Sequence, residues 1–122
     1  MNVIYLAVGG ALGTLSRYYV TGWVADWNGA TGLGVFTVNI VGAFLIGLFL
    51  TLSTDRFMWP SELRLLVAVG FLGGFTTFSS LSWETLQMLQ VRNVLGASLN
   101  ICASIVCGML AVYAGSVLAK AL

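Results

Sequence analysis

The residues best equipped for chemistry in this chain are concentrated in Gly73-Gly74-Phe75-Thr76-Thr77-Phe78-Ser79-Ser80-Leu81-Ser82. Adjacent glycines weaken a helix by about 1 kcal/mol each relative to alanine. Thr76, Thr77, Ser79, Ser80 and Ser82 then crowd hydroxyls into less than two turns. Such a run is a poor lipid-facing helix and a good place for a helix to unwind against protein or water. A half-helix ending near Gly73 exposes carbonyls and the negative end of its dipole, and one starting after it exposes N–H groups and the positive end. Carbonyls suit a hard cation such as Na⁺, whereas N–H and O–H groups suit an anion. The plainer reading is a glycine hinge whose hydroxyls bond back to their own helix. The residues alone leave both open.

Other polar groups stand in apolar surroundings. Arg17 follows Gly9 and Gly13 at intervals of four, on one helical face. The glycines permit close helix approach, and Arg17 either snorkels to the interface or offers a vestibule charge to anions. Asn39 lies within a second apolar run, followed by Gly42, Ala43 and Gly47. It is either interhelical glue or a pore-lining donor, since its amide can give two hydrogen bonds. Ala97, Asn100, Ser104, Gly108, Ala111 and Gly115 share a sector about 100° wide on a helix. That stripe is a packing face or a polar ion track. Glu84, soon after the glycine-rich run, either pairs with Arg17 or Arg64 or lies in an aqueous mouth.

The elements that position these groups must be membrane helices. Of the 122 residues 59% are apolar and 7% are charged, and there is no His. A soluble domain carries about 25% charge, so the composition excludes a soluble enzyme. The net charge of +1 gives no basic patch for nucleic acid. With two Cys and no His a metal–thiolate or metal–imidazole site is not expected. Cys102 and Cys107 point about 140° apart on a helix and are read as reduced. The first charge is Arg17, so a basic leader start is missing and Met1 is read as the true start.

A helix needs about 20 apolar residues to cross the hydrocarbon core. Four stretches qualify: about 2–24, 33–52, 63–90 with a break near 73–79, and 94–118. Residues from Leu63 to Phe71 read as ordinary apolar helix. Asp26-Trp27-Asn28-Gly29 reads as a turn, and Ser53-Thr54-Asp55-Arg56 with Trp59-Pro60-Ser61-Glu62 as the second loop, Ser61 or Thr54 capping the next helix. Tyr18, Tyr19, Trp23, Trp27 and Trp59 mark the interfaces. Both termini fall on one side, with Arg56, Arg64 and Lys120, against Arg92 and Arg17 on the other. So even a balance barely selects an orientation, which predicts insertion both ways and antiparallel pairing. Four helices enclose little space, so a pore calls for a second copy.

Together these features resemble the small bacterial fluoride channels of the Fluc or CrcB family, over essentially the whole chain. The resemblance rests on Gly9-Gly10-Ala11-Leu12-Gly13 with Ser16-Arg17-Tyr18, on Thr37-Val38-Asn39-Ile40-Val41-Gly42, and above all on the run from Gly73 through Trp83-Glu84. It implies an all-α membrane protein of the bacterial inner membrane: a dual-topology antiparallel homodimer with four helices per subunit, the third broken. It implies passive fluoride export, no enzymatic activity, and a structural Na⁺ at the dimer centre on the carbonyls of Gly73 and Thr76. Fluoride would pass Phe78, whose ring edge is positive. Asn39 would donate to the ion, Thr77, Ser80 and Ser104 would form a polar track, Glu84 would sit by the pathway and Arg17 near a vestibule. Leu81 stands where the family has a second Phe, and Asn100 where a Tyr is common. Two alternatives have their own requirements. A small proton-coupled multidrug exporter would need Glu84 as its proton carrier. A non-transporting membrane assembly subunit would use every small-residue stripe for packing.

Overall fold

The computed structural model describes residues 2–28 and 32–122, and all regular structure among them is helical. Helix α1 is Asn2–Asn28, and α2 is Gly32–Thr51, prolonged by wider turns over Leu52–Arg56. Helix α3 comprises Ser61–Arg64, a wide-turned stretch Leu65–Leu72 and a closing turn Gly73–Phe75. Helix α4 is Phe78–Gln90 and α5 is Val94–Ala121. Among the described residues three helical stretches are long and apolar enough to cross a membrane: Leu33–Arg56, Ser61–Gln90 and Val94–Ala121. Helix α1, at 27 residues, is long enough, at about 40 Å. Arg17 and Asp26 make it less apolar than α2 and α5. Large apolar side chains cover the outside, among them Leu95, Leu99, Ile105, Met109 and Leu110 of α5. A surface of that kind is stable against lipid tails and unstable against water. The chain is a multi-pass membrane protein.

Several local expectations are corrected. Asp26, Trp27 and Asn28 continue α1 instead of turning, and Gly29 lies outside the described residues. Ser53 to Arg56 remain helical, because the Ser53 and Thr54 hydroxyls bond back to the Leu50 carbonyl and hold the wider turns. The chain reverses only over 57–60, where Met58 takes φ 49° and Trp59 packs on Phe49 and Phe57 with ring centroids 5.3 and 5.6 Å apart. Pro60 precedes α3, and no side chain caps that helix, so neither Ser61 nor Thr54 serves as its cap. Asn93 does cap α5, accepting from the Gly96 N–H at 2.9 Å. The stretch 65–72, expected as ordinary helix, runs in wide turns, a form that is rare and recurs at functional sites.

Those wide turns lie where α1 touches α3. A Cβ added at Gly13 would fall on the Phe71 carbonyl, and one at Gly9 on the Leu66 carbonyl. The two backbones therefore meet directly, as the glycine spacing predicts. At Gly22, by contrast, an added Cβ meets nothing within 4 Å. Small residues also join α2 to α5, where Gly115 and Ala119 are buried. Both cysteines are free, Cys102 exposed and Cys107 half-buried.

Gly13→Ala should separate α1 from α3 and destabilise the protein by about 1–3 kcal/mol. Gly22→Ala should be neutral or add up to about 1 kcal/mol. Thermal unfolding of the purified protein in detergent reads both; equal melting of the two variants would contradict the close contact.

Candidate functional site

The chain unwinds at Thr76 and Thr77, which take extended backbone angles (φ −93°, ψ 154° and φ −151°, ψ 116°). The break is thus past Gly73 and Gly74, both of which are helical. The glycine pair, expected to end the half-helix, instead thins it. A Cβ at Gly74 would stand 2.8 Å from the Gly10 carbonyl, whereas Gly73 is exposed and meets little. On the far side Gly42 of α2 leaves room for the Thr76 methyl, which an added Cβ would strike.

The unwound backbone is not left bare. The Thr77 N–H donates to Asn39 Oδ1 at 2.8 Å, and Asn39 Nδ2 donates to the Thr77 carbonyl at 3.1 Å. The N–H needs an acceptor and the carbonyl a donor, so this pairing also fixes which way round the amide sits. Asn39 is therefore interhelical glue of a particular kind, tied to the main chain of the break, with one amide N–H remaining for a third partner.

Thr77 caps α4. Its Oγ1 accepts from the Ser80 N–H at 3.2 Å and lies 3.2 Å from both the Ser79 and Ser80 hydroxyls. A continuous helix would send the Thr77 N–H to the Gly73 carbonyl and the Ser80 N–H to the Thr76 carbonyl. Both donors are diverted, one to Asn39 and the other to the Thr77 hydroxyl. The carbonyls of Gly73 and Thr76 thus lose their ladder partners. They are oxygen donors of the kind a hard monovalent cation takes, and the donor set fits Na⁺ in that respect. The Thr76 hydroxyl bonds back to the Leu72 carbonyl at 3.0 Å, as the plainer reading of the hydroxyls expects.

The break separates two cavities, and Thr77 lines both. One, of about 340 Å³, is an apolar groove that gathers Asn39, Gly73, Thr76, Phe78 and Leu81. Phe78 is 78% exposed although it sits mid-span, so its ring projects out of the subunit; Leu81 is 6% exposed and packs inside it. The other cavity, of about 600 Å³, is more polar and gathers Arg17, Ser80 and Glu84 with Thr14, Ser79 and Trp83. Arg17 therefore faces a polar cavity shared with a carboxylate. Glu84 Oε2 is buried without a hydrogen-bond partner among the described residues, so it is not hydrogen-bonded to Arg17. Ser104 joins neither wall. Its Oγ is buried and unpartnered among the described residues. The α5 stripe is partly packing: Ala97 is buried and Asn100 Nδ2 donates to Thr85 Oγ1 at 3.0 Å, whereas an added Cβ at Gly108 meets nothing within 4 Å.

Sequence reasoning missed Thr14, Ser79 and Trp83 as cavity residues and Thr85 as the partner of Asn100. Thr14, Arg17, Tyr18 and Thr21 recur at helical spacing on α1, which was the available signal for the first. Comparison with known proteins places the chain among relatives of full length. The family model described as "CrcB-like protein, Camphor Resistance (CrcB)" matches residues 4–116. The fluoride-specific ion channel FluC of Geotalea uraniireducens is 46% identical over 122 residues, covering 99% of this chain and 98% of the relative. That of Geotalea daltonii is 43% identical, covering 98% and 97%, and that of a Roseiflexus species 40% identical, covering 100% and 99%.

Thr77→Val should remove the cap and its hydroxyl network and lower stability by about 1 kcal/mol, while Thr77→Ser should retain most of it. Melting temperatures in detergent test this, and identical values for Val and Ser would show that the hydroxyl does not hold α4.

Proposed function

The chain belongs to the CrcB-like family, and on that premise we propose that it is a fluoride-selective ion channel, letting fluoride leave the cytoplasm passively through a homodimer. The full-length similarity to proteins named fluoride-specific ion channels carries the reading. Those relatives are named as channels, not as enzymes or exporters. The location is the bacterial inner membrane, with α1 as the fourth crossing.

The chain's own features support the mechanism. A mid-span aromatic that projects out of its subunit, bordering an open apolar groove, calls for a second copy. Two antiparallel copies would suit a chain whose flanking charges barely select an orientation. Fluoride is strongly hydrated, so a path must offer donors that replace water without a full charge that would hold the ion. Arg17 would attract the anion in the polar cavity, where Ser79, Ser80 and Thr77 offer hydroxyls. Asn39 would then present its remaining N–H beside the positive ring edge of Phe78. Ser104, whose hydroxyl on α5 has no partner among the described residues, would extend the track beyond that cavity, and Glu84 would sit beside it. Leu81 is buried, so each path in this protein would have one aromatic ring from this pair of positions. The Gly73 and Thr76 carbonyls would hold Na⁺, which when bound supplies a fixed positive charge joining the two breaks.

Export needs no energy-coupling site. Neutral HF crosses bilayers and dissociates in a more alkaline cytoplasm. The membrane potential then drives the anion outward with about 2.3 kcal/mol per charge per 100 mV.

Liposomes holding only this protein, with a K⁺ ionophore to clamp voltage, should release fluoride and retain chloride. Phe78→Ile should lower fluoride efflux by at least about 100-fold, about 3 kcal/mol of barrier, with the dimer intact by size exclusion. No efflux from folded wild-type protein would reject the channel, and unchanged efflux in the variant would remove Phe78 from the path. Reporters fused to the C-terminus should appear on both membrane faces; a single face would reject dual topology.

A further inference from the structure

A break in a membrane helix is stable only if each backbone group it releases finds a partner or a use. At Thr77 that requirement is met by one side chain from another helix. Asn39 of α2 occupies both the N–H and the carbonyl of Thr77, at 2.8 and 3.1 Å. The N–H it occupies is the one that α-helical geometry would assign to the Gly73 carbonyl.

We propose that Asn39 is a positioning residue: its carboxamide takes the Thr77 N–H away from Gly73, holds the break open, and thereby leaves the Gly73 carbonyl free for a cation. This rests on the channel reading only for its consequence in transport; the clasp itself is a statement about the backbone. It gives one residue two tasks, one on each edge of the same carboxamide. The clasped edge of the amide fixes the break, and the remaining N–H is held in one direction because the rest of the group cannot rotate.

The chemistry of the clasp is selective. It needs an acceptor and a donor on one short, planar side chain. Leucine matches the size of asparagine and offers neither. A protonated aspartic acid offers both, through its carbonyl and its O–H, whereas ionised aspartate can only accept and would set a negative oxygen against the Thr77 carbonyl. Charged groups facing the break from the adjoining elements are Arg17 of α1 and Glu84 of α4, in the cavity on the other side of Thr77. The wild type is therefore measured over the same pH range.

The test uses full-length protein carrying ¹³C-labelled threonine, in fluoride-free buffer, with the Thr77 signal assigned by its loss in Thr77→Ser. In the wild type the Thr77 ¹³Cα and ¹³Cβ shifts should be those of extended backbone at every pH. In Asn39→Leu they should move to helical values as the N–H returns to Gly73. In Asn39→Asp, whose carboxyl keeps an acceptor for the Thr77 N–H in either ionisation state, they should stay extended, and in Asn39→Ala, which has none, they should move to helical values, so the proposal stays testable if the leucine variant does not fold. Extended shifts in Asn39→Leu or Asn39→Ala, or helical shifts in Asn39→Asp, would overturn it. Fluoride efflux from liposomes is read alongside, with a loss of about tenfold or more expected in Asn39→Leu and Asn39→Ala. Shifts that change while efflux stays at the wild-type rate would keep the clasp and reject the pathway through this break. Efflux that falls in these two variants while the shifts stay extended would reject the clasp and keep the pathway.

Discussion

The pair of hydrogen bonds between Asn39 and Thr77 is the interaction on which the rest of this structure depends. Inside a bilayer an unpaired peptide group costs several kcal/mol, so a helix cannot simply stop in the middle of a span. Here the chain stops at Phe75 and resumes at Phe78, and the intervening residues are satisfied from three directions. Thr76 bonds back to Leu72, Thr77 is clasped by Asn39, and the Thr77 hydroxyl caps the helix that follows. Of these, the Asn39 clasp and the Thr77 cap hold the two donors that a continuous helix would use otherwise.

Keeping the break in place also requires thin helices around it. Gly9 and Gly13 let α1 lie on the backbone of α3, Gly74 meets Gly10, and Gly42 makes space for Thr76. None of these contacts needs a glycine's freedom of φ. They need the absence of a side chain. The helix that packs most intimately on the break is also the one least evidently membrane-spanning by composition, because it carries Arg17 and Asp26.

The consequence is a division of labour around a single peptide. On one side lies an apolar groove with freed carbonyls and a projecting phenylalanine; on the other, a polar cavity with an arginine, a carboxylate and three hydroxyl-bearing residues of the break. Thr77 is buried between them. Around one interruption a short chain thus carries both Gly73 and Thr76, whose carbonyls lose their helical partners, and a separate set of hydroxyls with Arg17.

Much of this was legible in the residues. Composition alone demanded membrane helices, because so few charges cannot cover a water-facing surface. Gly73 to Ser82 marked a place for either an interruption or a hinge, the Gly9, Gly13 and Arg17 spacing announced a close helix face, and Asn39 stood out as a polar group needing a partner. Those signals are local: propensity, periodicity and the cost of burying a polar group can be read along the chain. What only the tertiary structure decided is where the interruption falls and who holds it. The glycines suggested Gly73, yet they remain helical, because propensity reports how easily a helix breaks and packing decides whether it does. Of the two residues that unwind, Thr77 is the one whose backbone meets Asn39, 38 positions away in sequence. Likewise, Leu81 could be read as a lost aromatic edge, but its burial, and the outward projection of Phe78 three residues earlier, follow from how α4 packs on its neighbours. A pairing between distant residues depends on the register of whole helices, and that register is set by the sum of their contacts and by no single stretch of sequence.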